Sequence, residues 1–440
     1  MYRPKDCSIL IGAVKIEERS CVSTPDWTEW SRELVSLETD DRPSVVADGG
    51  RDSAALQTSP YHDRQRVLDA VFYDAGGWAG VEWYEHNERL AADYDLPNGV
   101  APSNAVGVEH LGTRSTVGCY DLTPHRPIEI RGRPAGEFVQ HVYSNDMAVE
   151  VGAIRFALLL TEDGGILGDH IVTRLDDERY LAIASPVNEH DVKWLRSRAP
   201  RGVTVTDRDS AYAGLGLWGP DARAVAGTVT ENDMSNRAFP FFTTQRVRLG
   251  GVPVTAMRLS AVGELGWELW TPVEFGATLW DELWAVGADY GMVRVGDRAF
   301  SSLTAEKGNR QWGTDVTAEE TPYEAGLGHA VDMDTDFIGK DALQRHLADG
   351  IERTLACLTL DGVRNVPDVG ACIRTDGEVI GTIVRSEYGF SIDEGIAFGY
   401  LPIEYGDPGT SLVIEGPETR YSATVREEPL FDAKNDRPLV

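Results

Sequence analysis

The sequence predicts an α+β fold with a separate C-terminal antiparallel β-domain. Three observations carry this. From about residue 119, strand-like and helix-like stretches mix without a regular βαβ alternation. Past about residue 350, the texture changes to short strands divided by turn residues. The chain has 440 residues, enough for two or three domains at roughly 150 residues each. The expected organisation is an N-terminal extension over 1–58, an α+β region of two lobes over 59–350, and a β-domain over 351–440.

Residues 1–60 are polar and irregular, and aromatics then cluster in "VFYDAGGWAGVEWYEHNERL". "IEIRG" and "RFALLLT" read as strands. "PAGEFVQHVYSND" reads as a helix with Pro134 near its first turn, and "SPVNEHDVKWLRSRAP" as one ended by Pro200. "EFGATLWDELWAV" places Phe275, Leu279, Trp280, Leu283 and Trp284 at helical spacing, which predicts a core-facing stripe. "GDRAFSSLTAEKGN" reads as a helix with Asp297 as N-cap and Gly308 as stop. "RTLACLTL", "ACIRTDGEVIGTIVRS", "GIAFGYLP" and "SLVIEG" with "RYSATV" are strands of a small sandwich or barrel.

Composition excludes several classes. Net charge is −30, from 71 acidic and 41 basic residues. Such a surface repels phosphates, so no nucleic-acid partner is expected. Lysine is confined to Lys5, Lys15, Lys193, Lys307, Lys340 and Lys434, which suggests a protein suited to a salty cytoplasm. No run of 18 apolar residues occurs and no signal peptide is evident, so no membrane association is expected. Cys7, Cys21, Cys119, Cys357 and Cys372 are scattered, odd in number and without C-x-x-C, which fits a reducing, cytoplasmic setting. The histidines show neither HExxH nor His-x-His, and no metal is expected.

Three stretches bear on chemistry. "GLGLWG" (214–219) matches G-x-G-x-x-G, but no parallel strand follows, so a strand-to-helix turn is favoured over nucleotide binding. "LLLTEDGGILGDHIVTRL" (158–175) reads as a hairpin. Its second strand puts Leu167, Asp169, Ile171, Thr173 and Leu175 on one face, which looks buried. A carboxylate there needs compensation, either an internal salt bridge or hydrogen bond, or a ligand. "SAVGELGWELW" (260–270) holds Glu264 in a turn between glycines. That carboxylate is either a solvated loop group or a receiver for paired donors on a planar heterocycle such as a pterin.

"SAVGELGWELW" closely resembles a signature of the glycine-cleavage T-protein superfamily, and is most similar to the folate-binding half of dimethylglycine and sarcosine dehydrogenases. "SPYHDRQRVLDAVFYDAGGWAGVEWYEHNERL" (59–90), "GCYDLTPHRPIEIRG" (118–132), "FVQHVYSNDM" (138–147), the 158–175 hairpin, 294–328 and "GIAFGYLP" (395–402) carry the same resemblance, so it spans about 59–430. It implies a three-lobed fold around a central cavity, closed by a C-terminal antiparallel β-barrel. It implies tetrahydrofolate as cofactor and one-carbon transfer from a small methylated substrate, with Asp169 catalytic and Glu264 and Arg298 binding the folate. The family's pair of aspartates stands here as Gly168-Asp169, its asparagine as Ala184, and its tyrosine before the G-E-x-G turn as Ala261. The dehydrogenases carry a flavin domain that the leader is too short to hold, so the chain is expected not to oxidise an amine alone. A tRNA-maturation branch carries K-G-C-x-x-G-Q-E, and "EKGNRQWGTD" lacks that cysteine. The alternatives are an accessory subunit capturing formaldehyde equivalents from a separate flavin dehydrogenase, a folate-independent enzyme, and a folate-binding protein without turnover.

Overall fold

The computed structural model describes residues 56–97, 99–100, 102–186, 190–362, 365–417 and 419–440. Most of the N-terminal extension, with Cys7 and Cys21, lies outside the described residues. A short helix α1 (His62–Val67) leads into an antiparallel hairpin of β1 (Ala70–Ala75) and β2 (Trp78–Tyr84). Helix α2 (Asn104–Ser115), capped by the Ser103 hydroxyl on Ala105 N–H, precedes β3 (Gly118–Asp121) and β4 (Arg126–Arg131). Then come α3 (Ala135–Val142), β5 (Ile154–Leu160), β6 (Ile166–Asp176), β7 (Arg179–Ala184), α4 (His190–Arg198), β8 (Thr204–Asp207), β9 (Tyr212–Trp218) and α5 (Ala222–Thr228). They are followed by β10 (Thr243–Leu249), β11 (Val252–Arg258), β12 (Gly266–Pro272), α6 (Val273–Gly287), β13 (Val293–Val295), α7 (Asp297–Lys307) and α8 (Lys340–Asp349).

Two sheets organise this region. One has the order β10-β11-β12-β9-β3-β13, antiparallel except where β13 lies parallel to β3. The other has the order β5-β6-β7-β4-β8. Each buries both faces. The first sheet packs one face, with Leu215, Leu217, Val254, Trp267 and Leu269, under Leu279, Trp280 and Leu283 of α6. The second packs Ala157, Val172 and Ala182 under Phe138 and Val139 of α3 and Val192 and Leu195 of α4. Their remaining faces meet in a shared core. Tyr120, Trp218, Met257 and Trp270 come from the first sheet and Ile154, Leu181 and Ile183 from the second, with Ala299 and Leu303 of α7 between.

The third lobe is a closed antiparallel barrel. Its strands are β14 (Arg353–Leu360), β15 (Cys372–Thr375), β16 (Glu378–Gly389), β17 (Glu394–Pro402), β18 (Ser411–Glu415) and β19 (Arg420–Arg426), in the order β14-β17-β16-β15-β18-β19. Pairing of β19 with β14 closes it, so it is a barrel rather than a sandwich and leaves no free edge. Leu358, Ile373, Ile383 and Ile414 fill the interior, while Cys357, Ile396 and Phe398 on the outside dock on Ala305 of α7.

The structure differs from the sequence reading in three places. Phe275 is 38% exposed, because it stands at the edge of the α6 stripe. Asp297 is the first helical residue of α7, and Gly296 takes the cap position. On β6 the fully buried face is that of Gly168, His170 and Val172, whereas Leu167, Asp169, Ile171 and Leu175 are partly exposed. A bulge opposite Leu159/Leu160 also breaks the alternation, so Leu167 packs with the α3/α4 side. A strand covered on both faces cannot be assigned a core side by alternation alone. The "GLGLWG" stretch is the end of central strand β9 and a turn into α5, as favoured. A Cβ at Gly214 or Gly216 would meet the Trp270 or Trp218 ring within 2.6 Å or 2.2 Å, so these glycines serve ring packing.

Candidate functional site

Asp169 sits mid-sheet on β6, directly across from Leu158 on β5. Its face neighbour Ile171 packs into the inter-sheet core, and Leu158 packs with Phe156, Trp312 and Val316. No side chain among the described residues forms an ion pair with it. Burial pushes its pKa up to about 6, against the lowering effect of His170 and its own backbone N–H. Nearby Asp191 and Asp315 raise it further. This is a partly accessible carboxyl held close to neutrality by its surroundings, with capacity to accept a proton.

Behind it lies a cluster that sequence reasoning missed. His170 Nδ1 is 2.7 Å from the Tyr143 hydroxyl, and Nε2 is 2.7 Å from Asp191 Oδ2. All three side chains are buried. Tyr143 follows α3 and Asp191 lies in the first turn of α4, so His170 ties the Asp169 strand to both helices.

Glu264 is buried rather than solvated. Gly263, at φ +79°, makes the turn that turns the carboxylate inward. Its Oε1 accepts from Arg114 Nη1 at 3.0 Å and its Oε2 from Arg437 Nε at 2.8 Å. Arg114 continues to Glu306 at 3.0 Å, and Glu306 lies 3.3 Å from His110 Nε2. Burial acts to raise the Glu306 pKa, but His110 and Arg114 hold it at about 2. The G-E-L-G turn is thus one pole of a buried charge network joining α2, α7 and the C-terminal segment. The Glu264 carboxylate is already engaged on both oxygens. Arg298, in the first turn of α7, is 41% exposed at its side chain and pairs with Glu82 at 3.3 Å. The structure therefore gives the three sequence-identified residues three different settings: Asp169 without an ion pair, Glu264 doubly bridged, Arg298 partly exposed.

Glu268 is a further residue that sequence reasoning passed over. It stands on β12 between Met257 of β11 and Gly216 of β9. Gly266, Glu268 and Trp270 share the face toward the inter-sheet core, while Trp267 and Leu269 face α6. Its one hydrogen bond among the described residues comes from Trp270 Nε1 at 3.1 Å. Burial pushes its pKa up to about 7. A carboxylate offers about four lone-pair sites, so Glu268 has acceptor capacity left. The available signal was a glutamate two residues before a tryptophan on an otherwise apolar strand.

The geometry defines a three-lobed α+β protein with two carboxyl groups, Asp169 on β6 and Glu268 on β12, that burial raises in pKa and that have no ion-pair partner among the described residues. The family model described as GCVT N-terminal domain matches residues 61–335, and the glycine cleavage T-protein C-terminal barrel domain matches 353–432. The chain belongs to the glycine cleavage T-protein family. It is 31% identical over 363 residues to mitochondrial dimethylglycine dehydrogenase of Mus musculus, covering 80% of this chain and 41% of that protein. It is 29% identical over 392 residues to the aminomethyltransferase of Symbiobacterium thermophilum, covering 87% of this chain and 99% of that one. The solved glycine cleavage system aminomethyltransferase T from Bartonella henselae superposes with a TM-score of 0.75 at 27% identity, covering 86% of this chain and 99% of that chain. The chain thus spans 41% to 51% of the length of the dehydrogenase relatives it matches.

Proposed function

We propose that this protein binds tetrahydrofolate between its two sheets and transfers a one-carbon unit to it from a small methylated donor. The observation that carries this reading is the pair Asp169 and Glu268, carboxyl groups on strands of the two sheets that share one core, each raised in pKa by burial and neither ion-paired among the described residues. A reduced pterin suits such a pair, because it is flat and presents several N–H donors. Tetrahydrofolate, when bound, supplies the nucleophilic amine that takes the carbon.

The chain's own residues do the rest. Glu268 accepts from the N–H groups of the heterocycle and fixes its orientation, which is a large share of the work in a transfer reaction. Asp169 accepts the proton that the folate amine releases. Trp218, Met257, Trp270 and Ile171 keep water from the reacting carbon. Glu264 holds Arg114 and Arg437 in place rather than reading the heterocycle directly, since a direct contact would compete with two guanidinium groups. Arg298, partly exposed, is the cation offered to the acidic end of the folate. Buried thiols at Cys119 and Cys357 are in keeping with a reducing compartment.

Calorimetry with tetrahydrofolate tests the reading. Wild type should bind, and Glu268→Gln should weaken binding by about 1.5–3 kcal/mol, the scale of a hydrogen bond to a charged group. No heat with the wild type would remove the proposal. A donor screen read by mass spectrometry then identifies the methyl source. A second reading is suggested by the 31% identity to dimethylglycine dehydrogenase. There the chain captures formaldehyde equivalents released by a separate flavin dehydrogenase. Co-purification of a flavoprotein, with turnover only in its presence, would select that reading.

A further inference from the structure

Helix α7 begins without a cap of its own. Its N-cap position is Gly296, which has no side chain to accept a hydrogen bond. The third helical position, from which a capping glutamate would reach back, is Ala299. The missing acceptor comes from α2. Glu109 Oε2 accepts from Gly296 N–H at 2.9 Å. Its Oε1 accepts from Tyr84 N–H at 2.7 Å, at the end of β2, and from Asn87 Nδ2 at 2.9 Å. Asn87 Nδ2 also donates to the Arg294 carbonyl on β13 at 2.9 Å. Glu109 is fully buried and forms no ion pair among the described residues. One carboxylate thus ties the end of β2 to the start of α7.

This join carries a free-energy cost. Burial pushes the Glu109 pKa up to about 8, against the pull of its three N–H donors. The positive end of the α7 dipole favours the charged form at that place. An amide there could keep the contacts of one oxygen, but it would turn an N–H₂ group toward the Gly296 or the Tyr84 N–H. The join therefore depends on a carboxylate and not merely on a side chain of that volume.

What stands on either side of the join is an ion pair. Glu82 lies two residues before Tyr84 and Arg298 two residues after Gly296, and their side chains meet at 3.3 Å. The two backbones approach closely, since a Cβ on Gly296 would meet the Glu82 carbonyl oxygen at 2.3 Å. Glu82 is buried and the Arg298 side chain is partly exposed, so the pair presents its cationic half outward. Arg298 has five N–H donors. Its Nη2 donates to Glu82, while its Nε has no hydrogen-bond partner among the described residues. Two residues amount to about 3 Å of helix and about 7 Å of strand, so a shift at the join is passed directly to this pair.

We propose that Glu109 is a positioning residue. By holding the end of β2 against the start of α7 it fixes the direction in which Arg298 is offered, and so sets the preference of the site for a ligand with an anionic tail over the same ligand without one. This rests on the reading above for the ligand, tetrahydrofolate, and for the assignment of Arg298 to its acidic end. Glu109 itself touches no ligand and acts through Gly296 and Arg298.

The test compares tetrahydrofolate with 6-methyltetrahydropterin, the reduced ring without the p-aminobenzoylglutamate tail, by anaerobic equilibrium binding at pH 9, where Glu109 is charged. Wild type should bind tetrahydrofolate roughly tenfold more tightly, and Arg298→Ala should remove most of that preference. Glu109→Gln, confirmed folded by its melting curve, should lose about fivefold or more of the tetrahydrofolate affinity, while its affinity for the tailless pterin stays within about twofold. In the Arg298→Ala background, Glu109→Gln should cause no further loss, because the two act as one unit. If Glu109→Gln does not fold, Asn87→Ala takes its place, since it removes the amide shared by Glu109 and Arg294, and it should show the same tail-selective loss. Equal loss of both ligands, no loss, additive losses in the double variant, or an Arg298→Ala variant that keeps the preference would overturn the proposal. In each of those cases tetrahydrofolate binding by the wild type leaves the folate reading standing. No binding of either compound by the wild type removes the folate reading and this inference together.

Discussion

Asp169 carries its charge with difficulty, and that has a signed consequence. Its folded pKa of about 6 lies above the usual carboxylate value near 4. Stability derived from the protonated form is fully present below about pH 4 and is lost as pH rises through about 6. Asp169→Asn should therefore melt no lower than wild type at pH 7.5, with the comparison shifting toward wild type at pH 4.5. Its turnover should fall by about 10²–10⁴-fold, and wild-type turnover should climb with pH through about 6 as the base ionises. A large loss of melting temperature with turnover intact would mean that the carboxylate is structural. His170 gives a contrasting case. His170→Leu strands Asp191 in the interior and should cost about 3–5 kcal/mol in urea unfolding, while an added Asp191→Leu should recover much of it. Asp169 was legible in the sequence because an acid among aliphatics is an anomaly at short range. His170 was not, since Tyr143 and Asp191 lie 27 and 21 residues away and only the fold brings them to it. Glu268 was overlooked because a neighbouring glutamate in a glycine turn was the more conspicuous group.

At the scale of elements, the G-E-L-G turn and the segment after β19 behave as one unit. Arg437 bridges Glu264, its Nη2 donates to the Arg114 carbonyl at 2.7 Å, and the Arg114 guanidinium lies 3.7 Å over the Phe431 ring. Lys307 of α7 adds a contact to Asp432 at 3.3 Å. Glu264→Ala should thus lower stability by about 3–5 kcal/mol, because it leaves buried Arg114 short of a counter-charge. Limited proteolysis should then cut within 427–440 sooner than in wild type. If Glu264 instead contacted folate directly, affinity would fall while stability and cleavage stayed unchanged. The elements themselves were largely readable. α6 and α7 follow from periodicity and from Gly308, and the barrel strands from their turn residues. The pairing of Glu264 with Arg114 and Arg437 was not, because those partners lie 150 and 173 residues away. Closure of the last lobe into a barrel was likewise open in the residues, since strand texture does not say whether β19 returns to β14.

Over the whole molecule the excess of 30 negative charges sets the response to salt. Exposed pairs such as Arg64–Asp281 are worth about 0–1 kcal/mol and are screened by the same ions. The long-range repulsion is the larger sum, and the buried pairs Arg385–Asp315 and Arg114–Glu306 feel little screening. Melting temperature should therefore rise as monovalent salt goes from 0.1 M toward molar levels. A flat or falling curve would remove the halophilic reading and leave the site untouched. Arg385 of the barrel strand β16 pairs with Asp315 of the segment after α7 at 2.9 Å, so Arg385→Ala should leave a lone acid near Asp169. The pH midpoint of Asp169 should then move upward, detectable as a later rise in the pH–rate profile.

The contact between Arg437 and the Arg114 carbonyl spans 323 residues of chain. Closing a loop of that length from an open chain costs about 5 kcal/mol in chain entropy alone. That cost is tolerable only after the intervening lobes have already drawn the two ends together. On the ribosome, Arg114 emerges 323 residues and Glu264 173 residues before Arg437, so the nascent protein carries an unfinished G-E-L-G turn until Arg437 is made. The latch on Glu264 is therefore expected to close last. A protein of this design acquires its completed charge network as a late, cooperative event, and ligand binding that depends on that network should appear in refolding after the bulk of the secondary structure has formed.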